Sequence, residues 1–315
     1  MVRQGSPPGR GRRQPDRARP DRARPDRARR AAYDVLRAVD DRGAYANLAL
    51  PARLEGLDAR DARLATELTY GTLRSAGSYD AILQRCVDRP MARVDAPVVD
   101  VLRLGAHQLL ATRIPPHAAV SATVDLARAV VGERPARFVN AVLRKVEARD
   151  LAGWHALVAP DWDADPVGHL AIVHAHPRWI VSAFADALGG DLAETAAALA
   201  GDNEPAPVTL AARPGQSSRE ELLAYGGTAG RFSPYAVYVT GAPGRLPPVR
   251  EDRAGVQDEG SQLVALALAA ARTVELDAEV SADPGGGDEV RWLDLTAGPG
   301  GKAALLAGLA AQRGA

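Results

Sequence analysis

Apolar residues between positions 31 and 150 recur every three or four residues, the spacing of one face of an amphipathic helix. Tyr33 and Leu36 mark the first such face. Asp58 is suited to cap a further helix, and Pro97 occupies the favoured first turn of another. Few β-branched alternations interrupt this pattern, so residues 31–150 are predicted to form an all-α bundle.

The pattern changes after residue 150. Residues 151–168 are rich in Pro, Asp and Trp and are predicted to connect two domains. Over residues 169–254, helical spacing alternates with two short strand-like runs, 208–212 and 236–240. This alternation predicts a small α/β subdomain.

A third pattern occupies the last part of the chain, residues 255–315. A short apolar run at 292–295 predicts a buried parallel strand. The glycine-rich segment 297–302 and then an Ala/Leu-rich helix follow it. Strand, glycine turn and helix in this order suit a nucleotide-like cofactor, because glycines admit the ligand and the helix N-terminus presents free N–H groups. A whole doubly wound domain needs several parallel strands, so we expect only its beginning here.

The glycine turn does not match two common phosphate motifs. A Walker loop requires glycine where Thr296 stands and a hydroxyl where Ala303 stands. The dinucleotide fingerprint requires its third glycine at Ala303, although alanine is sometimes allowed there.

Composition is that of an ordinary globular protein, with 46% hydrophobic and 25% charged residues. No apolar run approaches the roughly 20 residues of a membrane span, and the N-terminus lacks the apolar segment of a secretory signal. The single cysteine, Cys86, excludes an internal disulfide framework. We therefore expect a cytoplasmic protein.

Charge is distributed unevenly along the chain. Residues 1–30 contain eleven arginines and three aspartates, a net charge of +8, whereas the whole chain is neutral. The segment repeats Pro-Asp-Arg-Ala-Arg three times, and its prolines and lack of apolar residues predict disorder. It is either a basic arm that contacts RNA phosphates or a solvated tail with no specific role.

The string Asp294–Lys302 resembles motif I of the S-adenosylmethionine-dependent RNA cytosine-5 methyltransferases of the Nol1/Nop2/Sun family. The string Val256–Leu263 is similar to the family's Val-Gln-Asp segment ahead of motif I. The resemblance implies S-adenosylmethionine as cofactor and assigns the cofactor contacts to seven residues: Thr296, Ala297, Gly298, Pro299, Gly300, Gly301 and Lys302.

Four strings within residues 31–147 resemble the NusB-like domain, which in this family precedes the methyltransferase of the bacterial small ribosomal subunit. They are residues 70–74, 102–110, 114–120 and 137–144. The resemblance implies an RNA- or protein-contacting module. Its candidate RNA-binding residues are Arg137, Asn140, Arg144 and Lys145, one and two helical turns apart, although a solvated polar face has the same spacing.

The family's chemistry requires a cysteine thiolate that attacks carbon 6 of cytosine, and its cysteine motifs lie downstream of motif I. Cys86 lies in the helical region instead, so we assign no catalytic residue and expect the chain alone to be inactive. Cys86 and His107 are interpreted as core residues. The pair His174 and His176 is a weak metal candidate without further ligands, and no metal is assigned.

The predicted fold is thus an all-α NusB-like bundle, a small α/β subdomain and the first strand-turn-helix of an incomplete Rossmann-like methyltransferase domain. The resemblance implies methylation of carbon 5 of a cytosine in 16S rRNA, with 16S rRNA or a small-subunit precursor as partner. We expect a monomer, truncated just after motif I. The alternative is a non-catalytic RNA- or ribosome-binding module of the antitermination type.

Overall fold

The computed structural model describes residues 26–241, 243–271, 292–295, 297–298 and 300–312. The chain divides into two compact units, and the division falls between Glu204 and Pro205. The finer boundaries at 151, 169 and 255 stay predictions. Most of the predicted arm, residues 1–25, lies outside the described residues.

The described part of the first unit is helical. Seven helices confirm the predicted all-α bundle, and four more follow. Their bounds are α1 Arg27–Arg42, α2 Ala46–Leu54, α3 Ala59–Arg74, α4 Ala76–Cys86, α5 Ala96–Ala111, α6 Pro116–Val130, α7 Glu133–Val146, α8 Leu151–Val158, α9 Pro166–Val173, α10 Arg178–Ala187 and α11 Leu192–Asn203.

Caps and apolar faces explain these helices. The Asp58 carboxylate accepts hydrogen bonds from the backbone N–H groups of Arg60 and Asp61 at 2.9 and 2.8 Å, which confirms its predicted capping role. Pro97 lies in the first turn of α5, as predicted. The apolar faces of α1 and α3 to α7 enclose one core, in which Leu68, Leu102 and Leu143 are fully buried.

Helix α1 begins inside the segment predicted to be disordered, so that prediction is wrong for residues 27–30. Asp26 caps the helix by accepting from the Arg29 backbone N–H at 3.1 Å. The Arg29 side chain is buried and donates from Nε to the Gln108 side-chain oxygen at 2.6 Å. Residues 26–29 of the third copy fold because Asp26 and Arg29 both find specific partners.

Residues 151–168, predicted as a connection, contain α8 and the first residues of α9. Trp154 explains why they fold, because its ring is buried in the main core of the first unit and its Nε1–H donates to the Val146 carbonyl at 2.8 Å. This stretch is thus packed onto the helical unit. The linker interpretation missed it because proline and aspartate here open helices: Pro166 lies in the first turn of α9, and Asp165 caps it.

The second unit contains a four-stranded antiparallel sheet with strand order β2-β3-β1-β4. The predicted strand runs 208–212 and 236–240 correspond to its first and third strands. The elements are β1 Val208–Ala212, α12 Arg219–Leu223, β2 Thr228–Ala229, β3 Ala236–Val239, α13 Pro247–Arg250, β4 Ala254–Val256, α14 Glu259–Ala270 and α15 Gly301–Gln312.

The predicted buried strand at 292–295 is wrong. These residues form no regular secondary structure, and Leu293 and Leu295 are 76% and 85% exposed. A strand requires neighbours for its backbone N–H and C=O groups, and among the described residues all strand pairs are the antiparallel ones of the sheet. Trp292 packs against the cluster formed by α14 and α15.

Candidate functional site

The glycine turn before α15 has a backbone that glycine favours. Gly298 and Gly300 have φ angles of +51° and +94°, in the left-handed region that L side chains rarely adopt. The Gly300 N–H donates to the Ala297 carbonyl at 2.8 Å, and the Gly300 carbonyl accepts from the Ala304 N–H at 2.8 Å. The turn thus passes directly into the helix. Thr296 and Pro299 lie outside the described residues.

The start of α15 lies beside the segment 256–263. A Cβ atom added to Gly301 would lie 3.6 Å from Cδ of Gln257, so the two strings identified in the sequence are neighbours in space. Among the described residues, the cavity between them is about 20 Å³ and is lined by Gly255, Gln257, Gly301 and Leu305, among others. That volume suits about one water molecule, whereas small-molecule pockets span about 300–1,000 Å³.

The backbone of the turn, but not the size of the cavity beside it, suits a methyl donor of nucleoside size. The first N–H groups of a helix have no partner within the helix, and the left-handed glycines leave the backbone open to a ligand. Lys302 is half-buried at the start of α15. The described residues therefore form an open turn rather than an enclosed pocket.

The four predicted RNA-binding residues all lie on α7 and are exposed. The Arg137 side chain is 81% exposed. Arg144 donates to Glu147 at 2.8 Å, and Lys145 Nζ donates to the Cys86 carbonyl at 2.9 Å. Arg137 is therefore the most accessible of the three cations.

Next to these residues is a surface cleft of about 320 Å³ that sequence reasoning missed. Its cations are Arg89, Arg93 and Arg134, and its floor includes Phe138, whose ring centroid lies 5.2 Å from the guanidinium carbon of Arg89. Arg134 and Phe138 are one turn apart on α7, a signal that the sequence does contain. Arg89 and Arg93 follow α4, and only the tertiary fold brings them to α7.

Cys86 is 1% exposed in the main helical core, which confirms its interpretation as a buried apolar residue. Burial raises the pKa of its thiol, although the nearby Lys145 opposes this effect. A buried, protonated thiol is a poor nucleophile, so Cys86 is not suited to attack a pyrimidine.

His107 is also a core residue, with 3% exposure. Its Nδ1 lies 2.9 Å from the Tyr79 hydroxyl, and its Nε2 lies 3.6 Å from a carboxylate oxygen of Glu67. Burial lowers the pKa of His107, while Glu67 opposes this shift. The arrangement is that of a buried neutral imidazole.

His174 and His176 form a local backbone contact, because His176 Nδ1 lies 2.7 Å from the His174 carbonyl. Over the part of the chain that the structure describes, no three His, Cys, Asp or Glu side chains come together as metal ligands would. Within the same residues, no helix combines the length and apolarity needed to cross a bilayer.

Part of the helical unit matches a known protein family. Residues 26–148 match the model of the NusB family. This span begins at the cap of α1 and ends just after α7, so the seven-helix bundle contains a NusB-family domain.

Two curated relatives match most of the chain. It is 54% identical over 288 residues to a putative methyltransferase of Mycobacterium tuberculosis, Rv1407, with 90% of this chain and 60% of that protein covered. It is 30% identical over 293 residues to the probable ribosomal RNA small subunit methyltransferase B of Bacillus subtilis, with 90% and 60% covered. The chain is thus homologous to ribosomal RNA small subunit methyltransferase B and to the mycobacterial putative methyltransferase, and it spans about three fifths of the length of each.

A solved structure shares the fold. The crystal structure of PH0851 covers 91% of this chain and 61% of its own, with a TM-score of 0.62 and 17% sequence identity. This similarity concerns the fold alone.

Proposed function

We propose that this chain is part of an S-adenosylmethionine-dependent methyltransferase that modifies carbon 5 of a cytosine in 16S rRNA. The observation that carries the proposal is the turn with two left-handed glycines at the start of α15, next to Gln257 of the second family string. Homology to ribosomal RNA small subunit methyltransferase B supports the substrate class. The proposal that carbon 5 of cytosine is the methylated atom rests on the motif resemblance.

The donor would be held by the backbone of residues 296–302 and by the first N–H groups of α15, and it supplies the methyl group when bound. Lys302 would neutralise negative charge near the helix start. The positions with left-handed backbone, Gly298 and Gly300, are the least replaceable of this set, because a side chain there strains the turn.

RNA would be contacted by Arg137, Asn140, Arg144 and Lys145 on α7. The cleft beside them supplies Arg89, Arg93 and Arg134, so seven polar residues would form one RNA-facing surface of the NusB-family domain. Cationic side chains bind RNA phosphates without sequence preference, so this surface would orient the substrate rather than select the target base.

The chain would contain no catalytic nucleophile, because its one cysteine is buried in the helical core. We therefore expect the 315-residue protein to bind S-adenosylmethionine but to transfer no methyl group to unmodified 16S rRNA. Calorimetric titration measures the binding, and tritium transfer from the labelled donor measures the reaction. Methyl transfer would contradict the assignment of no catalytic residue.

A matched pair of variants tests the donor site. Gly300→Val places a β-branched side chain at a φ of +94° and should abolish the heat of donor binding, whereas Gly190→Val places one at a φ of +87° in the helical unit and should leave it unchanged. A wild-type chain that does not bind the donor would refute the donor site.

The second candidate function is a non-catalytic RNA- or ribosome-binding module of the antitermination type. The NusB match and the arginine cleft favour it. It requires RNA binding without donor binding, so the same titration separates the two candidates.

A further inference from the structure

The loop between β2 and β3, residues 230–235, is held in place by hydrogen bonds to the sheet and to a helix. It closes where the Gly230 N–H donates to the Ala236 carbonyl at 2.8 Å. Inside it, the Ser233 side chain is 1% exposed, and its hydroxyl donates to the Gln262 side-chain oxygen of α14 at 2.6 Å. The loop is thus tied to a helix as well as to the sheet.

A buried carboxylate holds the tip of this loop. One oxygen of Glu259, at the N-terminus of α14, accepts from the backbone N–H groups of Phe232 at 2.6 Å and Ser233 at 2.7 Å. Its other oxygen accepts from the Tyr238 hydroxyl. Glu259 is only 6% exposed, and both of its carboxylate oxygens accept hydrogen bonds, one from the loop backbone and one from β3.

Gly230 permits the close approach that this anchor requires. A Cβ atom at this position would lie 2.6 Å from the Glu259 carboxylate and 2.3 Å from Cβ of Ala236. Both distances are shorter than the non-bonded contacts that Cβ atoms make in proteins, so a side chain at 230 would push the loop off its anchor. Three elements, β2, β3 and α14, therefore determine where residues 231 and 232 lie.

The side chains at this fixed tip face water. Phe232 is 62% exposed, and the guanidinium carbon of Arg231 lies 4.9 Å from its ring centroid. The anchor beneath them fixes the backbone, yet it buries neither side chain. A rigid aromatic ring beside a guanidinium is the arrangement by which proteins stack an unpaired base and contact the adjoining phosphate.

We infer that Phe232 is a stacking site for one unpaired base of RNA, that Arg231 contacts the neighbouring phosphate, and that Glu259 positions both. The inference rests on the proposed RNA-directed function and adds to it a second RNA contact, in the sheet unit, separate from the predicted residues of α7. Stacking on an aromatic face accepts any base, so this site would hold a single-stranded segment rather than read its sequence.

The test is fluorescence anisotropy with the whole 315-residue chain and a labelled single-stranded RNA of mixed sequence, about 12 nucleotides long. Phe232→Ala should weaken binding about fivefold or more, whereas Phe232→Tyr, which keeps an aromatic face, should remain within about twofold of wild type. Trp179→Ala, at a 71% exposed aromatic residue of α10, is the matched control and should leave affinity unchanged.

Two further measurements distinguish stacking from a general loss of surface. Arg231→Gln should reduce the slope of log K against log salt by about 0.7, and Phe232→Ala should leave that slope unchanged. On an otherwise identical RNA with abasic nucleotides, Phe232→Ala and wild type should bind equally. A fivefold loss that persists on the abasic RNA would refute stacking.

The outcomes separate this inference from the proposed function. If the wild-type chain binds RNA and Phe232→Ala binds equally well, the stacking site is refuted and the RNA-directed function stands. If the wild-type chain does not bind RNA at all, both fail. An unchanged urea midpoint for Phe232→Ala shows that any loss of affinity is not a loss of folding.

Discussion

The Glu259 carboxylate accepts a hydrogen bond from the backbone N–H of Ser233 at 2.7 Å, across 26 positions of the sequence. Glu259 lies within the string 256–263, and Gln257 of the same string neighbours the glycine turn at Gly301. One short segment therefore supports both the proposed RNA contact of the sheet unit and the proposed donor turn.

Replacing Glu259 should destabilise the second unit. Glu259→Ala leaves the N–H groups of Phe232 and Ser233 without their acceptor and is expected to cost about 2 kcal/mol or more. Glu251→Ala, which removes a 56% exposed carboxylate paired with Arg253, should cost less than about 1 kcal/mol. Urea unfolding and amide exchange of residues 232 and 233 check this; equal costs would contradict the anchoring role.

The Glu259 carboxylate should make the stability of the second unit depend on pH in the acidic range. Burial raises its pKa, but hydrogen bonds from the Tyr238 hydroxyl and from the backbone of Ser233 and Phe232 outweigh burial, so the pKa of Glu259 lies below its ordinary value of 4.5. Its contribution to stability is therefore present above pH 4.5 and is lost as pH falls through the lower folded pKa. Glu259→Gln should unfold with less dependence on pH in this acidic window.

Two glycines in helices should respond oppositely to alanine. A Cβ atom at Gly71 in α3 would lie 2.2 Å from Cε1 of the buried His107, so Gly71→Ala should cost about 1–3 kcal/mol. Gly201 in α11 has open space around the same position, so Gly201→Ala should be neutral or stabilising by up to about 1 kcal/mol. Thermal unfolding of both variants measures the difference, and a neutral Gly71→Ala would mean that His107 moves freely.

His107 should titrate below its ordinary pKa of 6.5, because burial disfavours the imidazolium. Since the folded pKa is depressed, the contribution of His107 to stability is complete above pH 6.5 and is lost as pH falls through the folded value. NMR titration of the imidazole signals measures this directly. Glu67→Gln removes a group that raises the pKa and should lower the midpoint further; a rise would contradict the assignment.

The arginine cleft should contribute salt-dependent RNA affinity. Arg134→Gln is expected to weaken RNA binding uniformly across sequences and to reduce the salt slope by about 0.7 for single-stranded RNA. Arg60→Gln, at an exposed arginine of α3 that does not line the cleft, is the control. An identical salt slope for wild type and Arg134→Gln would remove the cleft from the proposed RNA surface.

Much of the helical unit could be predicted from the sequence, since helix periodicity and caps are local. Asp58 and Pro97 each occupy the helix-starting position expected of them, because a helix start depends only on the next few residues. The run at 292–295 failed as a prediction for the opposite reason. A strand depends on partners far along the chain, which no local pattern can supply.

The sequence by itself determined the helical bundle, the glycine turn and the order of the family strings, because those features depend on residues a few positions apart. Only the tertiary structure decided which distant side chains meet: Arg89 with Phe138 in the cleft, and Glu259 with the backbone of Ser233. Such contacts depend on how helices and strands pack, and packing joins positions whose separation along the chain carries no periodic signal.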